Sequence, residues 1–290
     1  MEEKKQDCDR GNPFQFPVIQ EQSSCCCSES TKDATDHPLP RLDQPFVSGS
    51  MATPLGVLPK VSSVLESRDR RGTIKARWGV GRMNYAIDPG LYALGEPDAS
   101  SPVLVTANYK MSFDYLRQAL PNRNAWILVL DTKGINVWCA AGKGTFGTEE
   151  LLLRIETSGL KKIVSHRQII LPQLGAPGVS AHQVKQRSGF KVHYGPVRAV
   201  DLPAYLDYGM QKTDQMRKIT FPLKERAVLI PMELLSAVRP FFALSLGLLL
   251  LAGLLGPNTF LVNIFHTGLF AVAALFLAVE ILVHSTDGLV

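Results

Sequence analysis

Cysteine is scarce where this chain reads as folded. Of its five cysteines, Cys8, Cys25, Cys26 and Cys27 fall in a polar N-terminal stretch, and Cys139 alone lies beyond it. One thiol cannot build a disulfide framework. No CxxCxxC run is present, so an iron–sulfur cluster carried by this chain is not expected. The side chains of Cys25–Cys27 diverge, and a soft-metal role for them competes with the simpler reading of a variable tail. Dense Lys/Arg blocks interleaved with aromatics are also missing, although the net charge is +5. Nucleic-acid binding is therefore not expected. No apolar run follows the charged start Met1–Lys5, which argues against a cleaved signal peptide. A reducing, cytosolic setting fits this cysteine usage.

Apolar residues make up 46% of the chain and mean hydropathy is +0.06, but they are unevenly spread. Residues 1–65 are polar and rich in Pro, Ser and Asp, the composition of a disordered segment. Residues 66–230 read as an α/β domain. Pro102–Thr106 is a short apolar strand, and Asn108–Leu120 has helical spacing at Phe113, Leu116 and Leu120. Ala125–Asp131 is a continuous apolar run, as in a parallel strand covered on both faces. Thr148 is expected to cap a helix whose first turn holds Glu149 and Glu150. Strands are expected at Lys162–Ser165 and Phe190–Tyr194, with helices over Val179–Ser188 and Pro203–Met210. Such alternation predicts a sheet whose ligands sit at the C-terminal ends of its strands.

Residues 231–290 change character. The stretch 259–283 meets the roughly 20 apolar residues that a spanning helix needs, and 234–255 does so with Leu234–Val238 included and Arg239 snorkelling to the interface. With Gly256–Asn258 between them, they predict a transmembrane hairpin whose soluble domain faces the cytoplasm by the positive-inside rule. The expected location is the inner membrane, multi-pass and in contact with lipid. His266 and Glu280 are ionisable positions within the second stretch; interfacial solvation accounts for Glu280.

The run Asn136-Val137-Trp138-Cys139-Ala140-Ala141-Gly142-Lys143 follows the strongest strand. Its thiol is open to three readings: an inert core cysteine, a nucleophile activated by His166, His182 or His193, or a thiolate ligand to a metal whose other ligands come from a macrocycle. A phosphate loop fails on spacing. Seven residues separate Gly134 from Gly142 where four are needed, and Gly144 follows Lys143 where Ser or Thr is needed.

All eight residues of that run match the cap-helix signature of the mercury-methylating corrinoid family, HgcA, which they resemble. Similar stretches are Pro89–Pro97, Ser101–Lys110, Asp131–Gly147, His166–Gly178 and Tyr194–Asp201. The broader relationship is to the corrinoid-binding domain of the corrinoid iron–sulfur protein of the acetyl-CoA pathway, which lacks the cap-helix cysteine. The resemblance implies a Rossmann-like corrinoid-binding α/β domain followed by a transmembrane segment. Cys139 would be the cobalt ligand and the catalytic centre. Asn136, Val137, Trp138, Ala140, Ala141, Gly142 and Lys143 would form a cap facing a cobalamin-type ring, with small residues letting the ring approach. Thr106 and Ala199, near other strand ends, are further cofactor-binding candidates.

The implied activity is corrinoid-dependent methyl transfer to Hg(II), giving methylmercury. The implied partners are an HgcB-type ferredoxin-like protein with two 4Fe–4S clusters and a methyltetrahydrofolate-type donor acting through a methyltransferase. Two other functions stay open: a corrinoid methyl carrier of one-carbon metabolism, and a membrane-tethered binding module without catalysis. The family carries more membrane helices than the two stretches found here.

Overall fold

An apolar run without polar alternation must be covered on both faces, and Ala125–Leu130 meets that condition at every residue. A computed structural model describes residues 39–219, with 242–247 and a few single positions beyond them. Seven strands form one sheet in the order β1-β2-β3-β5-β4-β6-β7. They are β1 Val47–Thr53, β2 Gly56–Val61, β3 Gly90–Leu94, β4 Val103–Ala107, β5 Ala125–Leu130, β6 Gln168–Leu171 and β7 Lys191–Tyr194. Strands β5, β4, β6 and β7 are mutually parallel. β3 runs antiparallel to β5, β2 parallel to β3, and β1 antiparallel to β2. The fold is therefore mixed α/β, with a parallel half and an N-terminal half of mixed direction.

The helices are α1 Ser67–Arg77, α2 Lys110–Gln118, α3 Val137–Gly142, α4 Thr148–Thr157, α5 Leu160–Ile163, α6 Ala181–Ser188, α7 Leu202–Asp207 and α8 Asp214–Arg217. Alternate residues of the strands feed opposite cores. On one face Val103, Val105, Leu128 and Leu130 pack with Ala140 of α3, Leu151 of α4, Leu160 of α5 and Val184 of α6. On the other, Leu104, Ile127 and Val129 pack with Phe113 of α2, Tyr205 of α7 and Met216 of α8.

Several expectations are corrected by this arrangement. The segment expected to be disordered to residue 65 contains the hairpin β1–β2. Its polar Ser48, Gly49 and Ser50 hid it from a compositional reading, but Leu58 anchors it in one core and Val61 in the other. Lys162–Ser165 is not a strand. Leu160 and Ile163 have i,i+3 spacing and turn inward as α5, and the strand lies later, at β6. Gly147, not Thr148, caps α4; Thr148 Oγ1 instead accepts from the Ser180 N–H at 2.9 Å.

The predicted spans 234–255 and 259–283 lie almost wholly outside the described residues. Among the described residues no helix is long and apolar enough to cross a membrane, since those named above run from 4 to 11 residues where about 20 are required.

The polar face of α2 is not solvated, contrary to its amphipathic look. Lys110 Nζ lies 2.8 Å from Asp69 Oδ1 and 2.6 Å from each Asp114 oxygen. Arg117 donates to Asp114 Oδ1 at 2.8 Å, Asp69 Oδ2 at 2.6 Å and the Ser62 carbonyl at 2.7 Å. All four charged side chains are buried. Burial alone would raise the Asp69 carboxyl, but Lys110 and then Arg117 hold it below the usual carboxylate value. Two cations and two anions compensate one another, so this cluster fixes α1 on α2 without leaving a buried charge unpaired.

Candidate functional site

Parallel strands end together, so the loops after β5, β4, β6 and β7 share one sheet edge. Four of the five stretches singled out in the sequence, 101–110, 131–147, 166–178 and 194–201, cover those strand ends. α3 stands on this edge after β5. Asn136 is its N-cap: extended, with Oδ1 accepting from the Cys139 N–H at 2.9 Å. Ala140 N–H donates to the Asn136 carbonyl at 2.9 Å. An asparagine whose side chain accepts from the N3 backbone N–H is what starts so short a helix.

The eight residues of the run divide by face. Ala140 and Ala141 are buried, and Val137 packs partly against the same core. Trp138 is 64% exposed, Cys139 is exposed, and Gly142 and Lys143 are exposed as well. The smallness of Ala140 and Ala141 thus serves close packing of α3 on the sheet. Clearance beside the thiol comes from Gly142, one turn on from Trp138 and Cys139, where an added Cβ would meet nothing within 4 Å. The reading of Cys139 as a core cysteine is set aside by its exposure. None of His166, His182 and His193 has a hydrogen bond to its sulfur among the contacts of the described residues.

Two further features position α3, and sequence reasoning missed both. Asn108, buried at the end of β4, accepts through Oδ1 from the Thr132 N–H at 3.1 Å and the Gly134 N–H at 3.0 Å. The Thr132 hydroxyl lies 2.8 Å from the same oxygen and 2.6 Å from the Ile135 carbonyl. Asn108 Nδ2 donates to Asp131 Oδ1 at 3.1 Å, and its backbone N–H to the Leu130 carbonyl at 2.9 Å. One side chain therefore fixes the whole β5–α3 turn. Burial would raise the Asp131 carboxyl, but the side chain and backbone N–H of Lys133 lower it.

The second feature is the 3-10 turn Gln173–Gly178 that follows β6 and lies against α3. A Cβ at Gly178 would fall 2.1 Å from the Phe146 carbonyl and 3.1 Å from the Ala141 Cα. One at Gly175 would fall 2.5 Å from the Phe146 ring. Glycine at both positions is what lets the two segments touch. The available signal was the Gly-Ala-Pro-Gly cluster at 175–178, which reads only as a turn.

Thr106 and Ala199 are not brought to the thiol in the same way. Thr106 is buried within β4 and shares the face of Leu104, opposite to that of α3. Ala199 is half-buried and opens the 3-10 turn Ala199–Asp201 after β7, on the same sheet edge as α3. A cavity of about 550 Å³ lined by Val103, Arg123, His166, Gln168 and Asp207 lies at the other ends of the strands, away from Cys139. Strand-edge geometry points to α3 as the site, in preference to that cavity.

The class defined so far is an α/β domain presenting one exposed thiol at the C-terminal edge of its parallel strands. Comparison with known proteins narrows this. Residues 80–206 match the family model of CdhD, the CO dehydrogenase/acetyl-CoA synthase delta subunit. The chain is similar to the acetyl-CoA decarbonylase/synthase complex subunit gamma of Methanopyrus kandleri, at 32% identity over 123 residues, 42% of this chain and 26% of that protein. It is 33% identical over 130 residues to subunit gamma 2 of Methanosarcina thermophila, covering 43% of this chain and 27% of that protein. For subunit gamma of Methanocaldococcus jannaschii the values are 39% over 97 residues, 33% and 20%. The chain thus spans about a quarter of the length of the curated relatives it matches.

These matches correct the narrower assignment. Both the family model and the relatives belong to the CO dehydrogenase/acetyl-CoA synthase group, so membership of the mercury-methylating family does not stand. Hg(II) as substrate, methylmercury as product and an HgcB-type partner fall with it. The multi-pass inner-membrane location, with its lipid contacts, is corrected likewise: nothing in the described residues or in the names of the matched relatives supports it. No described helix can cross a membrane, and the matched relatives carry the names of subunits of an enzyme complex. The residue pattern of the cap run fits a thiol-bearing helix; it does not fix the reaction.

Proposed function

We propose that this chain provides a corrinoid-binding α/β domain that carries a methyl group in one-carbon metabolism, within a multi-protein assembly of the acetyl-CoA decarbonylase/synthase kind. The observation that carries this reading is the exposed Cys139 thiol. It sits on a capped helix one turn from Gly142, where an added Cβ would meet nothing within 4 Å, inside the stretch that matches the CO dehydrogenase/acetyl-CoA synthase family model. The relationship to the corrinoid-binding domain of the acetyl-CoA pathway protein, read from the sequence, agrees with the names of the matched relatives.

The donor set suits a macrocycle-held metal. Among the described residues no group of three or more His, Cys, Asp or Glu could hold an ion. A single thiolate is enough where the ring supplies the remaining ligands. Bound corrinoid would supply the cobalt that carries the methyl group. The residues of this chain do the rest. Cys139 would offer its sulfur to the cobalt, Asn136 holds the backbone under it, and Gly142 leaves the adjoining surface open. Trp138 and Lys143 flank the thiol on the exposed side, while Val137, Ala140 and Ala141 seat the helix on the sheet. Ala199 lies on the same edge and contributes to the periphery of the site, and Thr106 acts through packing of β4. A methyltetrahydrofolate-type donor, acting through a methyltransferase, is the expected source of the methyl group.

The full chain, reconstituted anaerobically with hydroxocobalamin and desalted, tests this. Wild-type protein is expected to retain a corrinoid absorption spectrum. Cys139→Ala is expected to keep its circular dichroism while losing or altering that spectrum. Absence of retained corrinoid in the wild-type protein overturns the proposal, and an unchanged spectrum in Cys139→Ala overturns the role of the thiol.

A further inference from the structure

We propose that α1 and the turn after it form a docking surface for an acidic protein face with an apolar centre, placed beside the edge that presents Cys139. The proposal deepens the reading above by naming the chemistry of a partner for that edge, and it rests on that reading.

The charge on α1 is one-sided. Its sequence is Ser-Arg-Asp-Arg-Arg-Gly-Thr-Ile-Lys-Ala-Arg, and its single acid, Asp69, turns inward to Lys110 and Arg117. Arg68, Arg70, Arg71 and Lys75 remain exposed, and none of them makes an ion pair among the described residues. A helix face built only for solubility intersperses both signs at i,i+4. Four free cations of one sign create a field that attracts an acidic partner.

Apolar surface continues from this face. Ile74 on α1 and Trp78, its C-cap, lie one turn apart, and Val80 and Met83 follow in the turn; all four are exposed, Met83 to 76%. Left-handed Gly79 and Gly81 make that turn tight. Monomeric surfaces scatter such residues singly, so four together signal a contact. The turn is also fixed in place. The Tyr85 hydroxyl donates to the Asp69 carbonyl at 3.2 Å, and the Lys110 N–H to the Tyr85 carbonyl at 3.0 Å. The Met83 carbonyl lies 3.3 Å from where a Cβ on Gly134 would stand. Gly134 is in the turn that leads into α3, so a partner seated on Met83 sits next to the thiol-bearing edge.

An apolar centre with a charged border is the anatomy of a protein–protein contact. A membrane surface would call for a helix with a broad apolar face, whereas the inner face of α1 is locked into the buried ion cluster. A single-stranded nucleic acid would call for aromatics along a cationic track, whereas the cations here border aliphatic residues and one tryptophan.

The test titrates the full chain with three probes: a helical peptide of glutamates bearing a leucine stripe, phosphatidylglycerol vesicles, and an oligonucleotide of the same charge as the peptide. Peptide binding is expected at low salt and should weaken steeply as ionic strength rises past physiological levels. The triple variant Arg70→Glu/Arg71→Glu/Lys75→Glu is expected to lose about tenfold or more in peptide affinity. Val80→Ser/Met83→Ser is expected to weaken binding without changing its salt dependence. Circular dichroism and the retained corrinoid spectrum report whether each variant is folded. No peptide binding by wild-type protein, an unchanged affinity in the folded triple variant, or tighter binding of vesicles or oligonucleotide than of peptide would overturn the proposal. Corrinoid uptake without peptide binding removes the docking surface alone, and peptide binding without corrinoid uptake removes the corrinoid reading alone.

Discussion

Asn136 and Cys139 are joined by a 2.9 Å hydrogen bond, in which the backbone N–H of the cysteine donates to the side-chain oxygen of the asparagine. The residue that begins α3 thereby fixes the peptide carrying the thiol. Asn136→Ala should cost about 1 kcal/mol of stability, while Asn136→Asp should cost little, because aspartate caps equally well. Urea unfolding of the two variants checks this; equal losses would show that the cap is not the source of the stability.

Asn108 makes a sharper case. Asn108→Ala leaves the Thr132 and Gly134 N–H groups without their acceptor and should cost about 2 kcal/mol or more. Asn108→Asp keeps the acceptor but loses the donor to Asp131 and sets two carboxyl groups face to face. Its stability should be low at neutral pH and recover as the pH falls, once one of the pair takes up a proton. A flat stability–pH profile for Asn108→Asp would contradict the pairing with Asp131.

Gly142 and Gly178 should respond in opposite ways to alanine. At Gly178 the new Cβ meets the Phe146 carbonyl at 2.1 Å, and the strain should cost about 1–3 kcal/mol. At Gly142 nothing lies within 4 Å, so the fold should gain up to about 1 kcal/mol in helix propensity. Corrinoid retention should nevertheless fall in Gly142→Ala, because the methyl group stands beside Cys139. Thermal melts read the first effect and absorption of the reconstituted protein the second; undiminished retention would remove Gly142 from the site.

The buried ion cluster should make the fold sensitive to acid. The Asp69 carboxyl is held below its usual value of 3.8, because Lys110 and Arg117 outweigh the opposing effect of burial. A lowered value in the folded state means that its stabilisation is fully present above the unfolded carboxylate range, about pH 4, and is lost as the pH falls through the folded value. Arg117→Met should cost about 3–5 kcal/mol at neutral pH, since it leaves Asp69 and Asp114 under-compensated. It should also flatten the acid limb. Urea midpoints between neutral and acid pH measure both effects.

Local pattern and tertiary contact contributed differently to what is known of this protein. Continuous apolar runs marked β4 and β5, because no other element buries four to six successive apolar residues on both faces. That Asn136–Lys143 contains a helix came from the resemblance to a cap-helix signature and not from local pattern. Pattern failed where polar residues were structural. The hairpin β1–β2 reads as disordered because its outer face is Ser and Gly, and the burial of the α2 charges is not legible because nothing local reveals Asp69 opposite them. The division of Asn136–Lys143 into a buried side at Ala140 and Ala141 and an open side at Cys139 and Gly142 depends on which face meets the sheet. That choice is made by contacts between residues far apart in the chain. Asn108 and the Gln173–Gly178 turn reach α3 from other strand ends, through a topology that no window of sequence contains. The sequence alone determined that a thiol follows the strongest strand; only the tertiary structure decided that the thiol faces outward, and what holds it there.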